Sequence, residues 1–416
     1  MNLVFNDFIT YLKDNNCPVD LEEGYYWFDY GIIKCYDKKG NIHKIVKIII
    51  DDSLELNFKL YPKQKIELES WNETITRKEE RLKKLEKESL ELIKKSLEKY
   101  KRFKPVILNS RGKDSCVVDY LVSKIVDSPS RFFNNTTLDV SDTYKFIKQF
   151  DNLTIINPDE GFYTWREKEN IVPTRVARSC CRIFKEGAMV EKIDSKEKLL
   201  FFLGMRNSES RGRSGYGDEW RNPKWDIRKW QGILPIRKWS EEDVWLYILK
   251  ENIAINPKYY KGYNRCGCGI ACPYSTKPTW ALDKYWYPKM YERWHNILEK
   301  DFIENKKAPI LNCSLKEYHI CWNGTRIREV APIEVIEEFA KTQNLDLEIA
   351  KKYFDKKCMN CNKNLKALDI GLSLKYYGRN IEDFKCIKCI SKDLNTTQKE
   401  LKEKAKYFKN SNCDLF

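Results

Sequence analysis

Short apolar runs alternating with helical-period segments dominate the middle of the chain. Pro105–Leu108, Asn135–Leu138, Leu153–Ile156 and Leu199–Gly204 read as buried strands. After the first of these, Val117, Val118, Leu121, Val122 and Ile125 recur on one helical face. Strands alternating with helices are the signature of βαβ units, and predict an α/β domain over 104–300 with a doubly wound parallel sheet. In such sheets the site lies at the carboxyl ends of the strands. Ser110, Asp139, Asn157 and Gly204 each follow an apolar run, so they are expected to converge there.

The flanks carry different patterns. Residues 1–66 predict a small α+β module: an amphipathic helix at Phe5–Leu12, then a hairpin whose arms, Tyr25–Tyr36 and His43–Ile50, flank Asp37-Lys-Lys-Gly-Asn41. Residues 67–103 predict one long charged helix with an apolar stripe of Ile75, Leu82, Leu85, Leu90, Leu92, Ile93 and Leu97. Residues 301–355 read as helical, 356–392 as a cysteine-bounded module, and 393–416 as a basic tail.

The chain has 416 residues, enough for two or three domains. No apolar run reaches the roughly 18 residues of a membrane span, and the N-terminus lacks a secretory pattern. A cytoplasmic protein without membrane partners is therefore expected. Net charge is +15, which points to a polyanionic partner, a nucleic acid or a phosphorylated nucleotide. Lys- and Asn-rich coding bias is the competing explanation. The 15 cysteines change the picture more. In a reducing cytosol, close pairs such as Cys180-Cys181, Cys266-x-Cys268, Cys358-x-x-Cys361 and Cys386-x-x-Cys389 favour metal or redox chemistry over disulfides.

The chemistry begins at Ser110-Arg-Gly-Lys-Asp-Ser115. A strand, a tight turn and a helix N-terminus present backbone N–H groups to a phosphate, and Lys113 adds charge. Asp114 after the lysine excludes a Walker A loop. The hexad resembles the PP-loop of ATP pyrophosphatases and phosphosulfate reductases. Further motifs follow in order: Thr137-Leu-Asp139 with Thr143-Tyr144, Arg178-Ser-Cys-Cys-Arg-Ile-Phe-Lys185, Gly204-Met-Arg-Asn-Ser-Glu-Ser-Arg-Gly-Arg213, Leu234-Pro-Ile-Arg-Lys-Trp-Ser-Glu-Glu-Asp-Val-Trp245 followed by Asn256-Pro-Lys-Tyr-Tyr-Lys-Gly262, and Arg265-Cys-Gly-Cys-Gly-Ile-Ala-Cys-Pro273. Together they resemble the phosphoadenosine phosphosulfate reductase family, with its PP-loop, Rossmann-like fold. The resemblance implies that Ser110, Arg111, Gly112, Lys113, Asp114 and Ser115 hold an adenine nucleotide, ATP or an adenylylsulfate. Asp139, Lys185, Gly204, Arg206 and Glu209 would assist, and Asp114 would reach a Mg²⁺. Lys113, Asp114, Arg206 and Arg213 are the implied catalytic set, the arginines matching phosphate or sulfate oxyanions as bidentate forks.

Cys180-Cys181-Arg182 with Lys185 also resembles the iron–sulfur adenylylsulfate reductases. This implies a [4Fe–4S] cluster on Cys180, Cys181, Cys268 and Cys272, with Cys266 as substitute; zinc, or no metal, are the alternatives. The later cysteines depart from that family's Cys-x-x-Cys spacing. Cys358, Cys361, Cys386 and Cys389 form two knuckles that suit a structural Zn²⁺, and resemble a zinc ribbon or treble clef. Lys363, Lys366, Lys375, Arg379 and Lys388 make that module basic.

Three functions remain in view. The first is ATP-dependent adenylylation of a substrate, expected to be a nucleic acid, with sulfur supplied by a donor protein or thiol. The second is reduction of adenylylsulfate or its 3′-phosphate to sulfite. Reductases of the family carry a Glu-Cys-Gly near the C-terminus, whereas here Cys413 lies in Ser-Asn-Cys-Asp, which counts against reduction and leaves the first reading, supported by the cysteine module and the basic charge, as the expected one. The third is a non-catalytic nucleotide-binding regulator, raised by Arg111 standing where many relatives have a small residue.

Overall fold

The computed structural model describes residues 1–416 except 63–64, 176–177, 195, 211, 223–224, 226–228, 325–329, 379–380, 382 and 411–416. Arg379 and Cys413 therefore lie outside the described residues. The chain forms two compact units. One comprises Met1–Phe162, Cys180–Gly269 and Pro278–Trp286, the other Tyr163–Ser179, Ile270–Lys277 and Tyr287–Phe416.

The first unit holds two sheets. The N-terminal one is antiparallel, with β1 (Asn2–Leu3), β2 (Tyr26–Asp29), β3 (Ile32–Asp37), β4 (Ile42–Ile50) and β5 (Leu56–Leu60) in that order, while β6 (Leu68–Glu69) pairs with β3. The hairpin expected around Asp37–Asn41 joins β3 to β4. Tyr25–Tyr36, expected as one arm, is two strands, because Tyr30 and Gly31 both take positive φ and turn the chain. The long helix is likewise two, Trp71–Arg77 and Glu79–Lys99, broken where Lys78 leaves helical geometry (φ −105°, ψ 12°). Leu82, Leu85 and Ile93 from its stripe are buried in the unit's main core.

The second sheet is the doubly wound one. It contains β7 (Lys104–Leu108), β8 (Ser130–Asn134), β9 (Leu153–Ile156), β10 (Leu199–Phe202), β11 (Glu219–Trp220) and β12 (Trp230–Ile233). Their order is β11-β12-β10-β7-β8-β9, with every neighbouring pair parallel except β11–β12. Three of the four expected core strands stand. The fourth is displaced: Asn135–Leu138 follows β8 and is not a strand. Thr137 takes φ +58° there, a conformation incompatible with extended backbone, and its turn is braced by Asn135 Oδ1 accepting from the Thr137 N–H at 2.9 Å.

From β7 the chain winds outward through β8 and β9, then returns to place β10 on the other side of β7. This reversal is a topological switch point, and the crevice it opens lies at the carboxyl ends of β7 and β10. Phe202 pairs in register with Ile107, so Gly204 and the loop after Leu108 leave the sheet at the same level.

In the second unit, helices Pro288–Glu304, Lys307–Leu311, Leu315–Cys321, Ile333–Thr342 and Leu347–Phe354 precede the cysteine module. That module has a bridge pairing Lys357 with Asn364, then helices Ala367–Tyr377 and Ile387–Asp393. A last helix, Gln398–Asn410, buries Leu401 and Ala405 against Leu372, Ile387 and Ile390. No helix among the described residues is long and apolar enough to cross a membrane.

Candidate active site and four-cysteine centre

The loop after β7 is built by its own side chains. Arg111 takes φ +59°, a left-handed conformation that costs a non-glycine residue about 1 kcal/mol or more. Asn109, fully buried, holds it there. Its Oδ1 accepts from the Arg111 backbone N–H and from the Ser115 hydroxyl, both at 2.8 Å, and its Nδ2 donates to Asp119 at 2.7 Å. Asp119 is itself held by Arg131, whose Nε lies 2.9 Å from both carboxylate oxygens. Gly112 then caps helix Lys113–Ser123, whose N-terminus faces the switch point.

Four charged side chains meet at that N-terminus. The Lys113 ammonium lies 3.2 Å from Asp114 and 3.1 Å from Glu241, and Arg206 Nε pairs with Asp114. Lys113 and Arg206 are both buried. Burial penalises charge on Lys113, but Asp114 and Glu241 outweigh it and raise its pKa. Burial likewise opposes charge on Asp114, yet Lys113 and Arg206 hold its carboxyl below the usual range. The result is a locked quartet of two cations and two anions. An incoming phosphate or sulfate has to draw Lys113 and Arg206 away from their carboxylates, which it can do because it offers the same charge with more oxygens.

Gly204 brings Arg206 close. A Cβ on Gly204 would sit 2.7 Å from both the Asp114 carbonyl carbon and the Ser115 nitrogen, so strand β10 and the loop approach backbone to backbone. Gly204→Ala is expected to push the two apart, costing about 1–3 kcal/mol by overpacking and weakening nucleotide binding. A lowered Tm together with a raised Kd measures this; an unchanged Tm would refute the close approach.

The remaining sequence-derived residues are placed as follows. Ser115 donates to Asn109 and to the Gly112 carbonyl at 2.8 Å, and the Ser110 hydroxyl is 3.4 Å from that of Ser115. Glu209 accepts from the Arg206 N–H at 3.2 Å and pairs with Arg213. Arg213 is thus tied to Glu209, which orients the Arg206 backbone. Asp139 accepts from the Thr136 hydroxyl at 3.0 Å. Lys185 lies in the π-helix Cys181–Gly187, and its carbonyl accepts from Asn134 at 2.8 Å. Arg111 differs from its expected role. Its guanidinium is wholly buried, 3.7 Å from the Phe150 ring centre and 3.6 Å from Asp119, and none of its three nitrogens has a hydrogen-bond partner among the described residues. Burial lowers its pKa to about 10. A side chain sunk this way does not line the open face of the loop.

Cys266 also has a specific place. It is buried, and its thiol donates to the Arg111 carbonyl at 3.2 Å, supporting the loop from beneath. Burial pushes its pKa up to about 12 and also raises that of Cys116. In the metal-free protein burial thus favours the protonated thiol form of both, which is the less nucleophilic one. Cys180 is buried and Cys181 half-buried at the start of the π-helix. Cys268 is half-buried in the same unit, while Cys272 belongs to the other. The π-turn depends on Gly187, whose added Cβ would meet the Arg182 carbonyl at 2.4 Å.

Sequence reasoning gave no site role to Asn109, Asp119, Arg131, Glu241 or Tyr259, although Glu241 and Tyr259 lie within the motif that runs from Leu234 to Trp245 and on through Asn256–Gly262. Tyr259 Oη accepts the Lys113 backbone N–H at 2.9 Å across 146 positions. Nothing local marks such a contact. Glu241 carried one signal, since Ser240 and Asp243 form a capping box that starts helix Glu241–Lys250 and fixes Glu241 in its first turn.

In the second unit, the sulfurs of Cys358, Cys361, Cys386 and Cys389 all lie within 4.8 Å of one another, the one such group among the described residues. Cys361 and Cys386 are 3.6 Å apart. Four sulfurs at about 2.3 Å from a tetrahedral ion are about 3.8 Å apart, so the set fits one mononuclear ion. The Cys386 N–H donates to Cys358 Sγ at 3.2 Å, the kind of outer contact that stabilises a thiolate ligand.

Comparison with known proteins agrees with the crevice. Residues 104–273 match the phosphoadenosine phosphosulfate reductase domain family. The chain is similar to an uncharacterized protein of Methanocaldococcus jannaschii, 29% identical over 308 residues, covering 70% of this chain and 71% of that protein. It is similar to an adenosine 5′-phosphosulfate reductase of Lysinibacillus sphaericus, 24% identical, covering 47% of this chain and 82% of that one. It is also similar to a sulfate adenylyltransferase subunit 2 of Bacteroides thetaiotaomicron, 29% identical, covering 43% and 67%.

Proposed function

Since residues 104–273 belong to the phosphoadenosine phosphosulfate reductase domain family, we propose that this chain binds an adenylylsulfate-type nucleotide at the loop 109–115 and releases sulfite from it. The observation that carries this reading is the meeting of Lys113, Asp114 and Arg206 where β7 and β10 end. Two cations there match the phosphate and sulfate oxygens, and the helix N-terminus adds its dipole. In the reaction, a cysteine thiolate attacks the sulfur and the bond from sulfur to the phosphate oxygen breaks. The adenosine phosphate leaves as an anion stabilised by the same cations. A second thiol, from a thiol donor, then forms a disulfide and frees sulfite. Cys116 and Cys266 are disfavoured as nucleophiles by their protonated, buried state.

This reading includes two metal centres, of which only the C-terminal one has its donors gathered among the described residues; the iron–sulfur centre rests on the resemblance of its motifs. Adjacent cysteines are awkward as two ligands of one tetrahedral zinc, which favours a [4Fe–4S] cluster for Cys180 and Cys181. With Cys268 and Cys272, or Cys266 in place of one of them, they would hold such a cluster, a soft thiolate-bound centre whose charge would tune the site. The C-terminal cysteines would hold Zn²⁺ as a folding ligand. Asp114 would reach a Mg²⁺ once a nucleotide draws Lys113 and Arg206 away, and the ion would screen the phosphates.

A second reading, ATP-dependent adenylylation of a nucleic acid with pyrophosphate release and sulfur from a donor protein or thiol, is favoured by the similarity to a sulfate adenylyltransferase subunit and by the +15 charge. The non-catalytic alternative loses its motive, because the Arg111 side chain is buried away from the loop's open face. Parallel assays decide between the first two. Sulfite from adenylylsulfate or its 3′-phosphate with a dithiol, and no pyrophosphate from ATP, is the expected result. Pyrophosphate without sulfite would replace the reductase with the adenylylating enzyme.

A further inference from the structure

We propose that the four-cysteine module and the helix after it form a binding surface for the phosphate backbone of single-stranded RNA. The inference stands on that module's own charge and geometry, and is independent of which reaction the first unit performs.

Residues 356–410 contain 14 Lys and Arg against 6 Asp and Glu, a net +8 and more than half of the chain's +15. A Zn²⁺ on four thiolates adds about −2, so the loaded module keeps about +6. Asp383 and Glu403 are exposed, Glu403 within one turn of Lys399 and Lys406, but three of the other acidic residues do little to neutralise the surface. Asp369 is buried and accepts from the Lys366 and Ile387 backbone N–H groups. Asp393 is taken by Lys385 and Tyr377. Glu400 folds back onto Thr396 and Thr397 as a cap.

Among the described residues, nine of the lysines are exposed, whereas Lys356, Lys375 and Lys385 are half-buried. Because the four sulfurs converge within 4.8 Å, the exposed Lys357, Lys363 and Lys388, each one or two residues from a cysteine, are gathered around one centre. Those three offset the charge of the thiolates. The surplus lies on the two helices that follow. Helix Ile387–Asp393 buries Ile387 and Ile390 and exposes Lys388 and Lys392, one turn apart. Helix Gln398–Asn410 packs on it through Leu401 and Ala405, leaving Lys399, Lys402 and Lys406 exposed at i, i+3 and i+7. That spacing sets a row of ammonium groups along one helical stripe, rising about 4.5 and 6 Å.

Such a face suits a polyanion better than a protein. Protein interfaces are depleted of lysine at their centres, whereas phosphate contacts are made largely by lysine and arginine. Tyr407, 68% exposed beside Lys406, offers a ring on which an unpaired base can stack. This favours single-stranded over duplex ligands.

The test uses the full-length, metal-loaded protein and fluorescence anisotropy with a 20-nucleotide single-stranded RNA and a duplex DNA of the same length. Binding is expected to weaken with salt at a logarithmic slope of about −3.5 for five lysine contacts on a single strand. The triple variant Lys399→Gln, Lys402→Gln, Lys406→Gln should bind at least 10-fold more weakly and lose about 2 from that slope. Its zinc content, Tm and turnover of small nucleotides should equal those of wild type. RNA binding with an unchanged slope in the variant would overturn this surface while leaving nucleic-acid binding elsewhere on the chain. No binding of either ligand by wild type at low salt would overturn the proposal outright, whatever the turnover assays give. Tighter binding of the duplex would overturn the choice of ligand.

Discussion

Lys113→Met should weaken adenine-nucleotide binding by about 10- to 100-fold, the loss of one charge-assisted phosphate contact of roughly 1.5–3 kcal/mol. In the free protein the ammonium is shared between Asp114 and Glu241. Removing it leaves Asp114 with Arg206 as its remaining cation, and leaves Glu241 with only the Met1 ammonium. Breaking a buried pair costs up to about 3–5 kcal/mol, so some loss of stability is expected as well. Lys113→Arg separates the two effects, since it keeps the charge but not the shape. Calorimetric titration with adenosine phosphates, alongside thermal unfolding, is the measurement. A folded Lys113→Met protein that binds as tightly as wild type would remove the loop from the site.

Loss of the zinc ion should follow from Cys386→Ser, with metal content falling from about one zinc per chain to near zero. A structural zinc bound by cysteines contributes on the order of 10–16 kcal/mol of binding free energy that is also folding free energy. The module has little else to hold it. Its clusters are small: Leu372, Ile387, Ile390, Leu401 and Ala405 in one, and Ile370, Leu374 and Phe384 in another. Residues 356–410 are therefore expected to become protease-sensitive in the variant, and equally so in wild type after chelation. Cys181→Ser, by comparison, should lower iron and leave zinc in place. A Cys386→Ser protein that keeps its zinc and its protease resistance would refute the mononuclear centre.

The course of the main sheet was legible because its strands are continuous apolar runs between helical patterns. Val106, Ile107, Leu199, Leu200, Phe201 and Phe202 are wholly or almost wholly buried, as parallel strands covered on both faces must be. The displaced strand shows where such reading stops. Phe132 and Phe133 are the buried pair of β8, yet the run beginning at Asn135 looked equally extended. A single left-handed residue, Thr137, decided between them, and threonine gives no warning of positive φ. The break at Lys78 is similar, because a charged residue inside a charged helix carries no stop signal.

The sequence alone determined what depends on local order. It set the strand–loop–helix around Lys113, the two cysteine knuckles, the basic C-terminal stretch and the succession of motifs. Each rests on neighbours within a few positions, where spacing translates directly into geometry. Only the tertiary structure decided which distant groups complete the site. Tyr259 reaches the Lys113 N–H, Glu241 reaches its ammonium, Arg206 reaches Asp114, and Cys266 lies under the Arg111 carbonyl. It also decided that Arg111 turns inward while Lys113 and Arg206 face each other across Asp114. The reason is that parallel strands adjacent in the sheet lie far apart in the chain. β7 and β10 pair across roughly 95 residues, so their junction is created by folding and cannot be read from either segment.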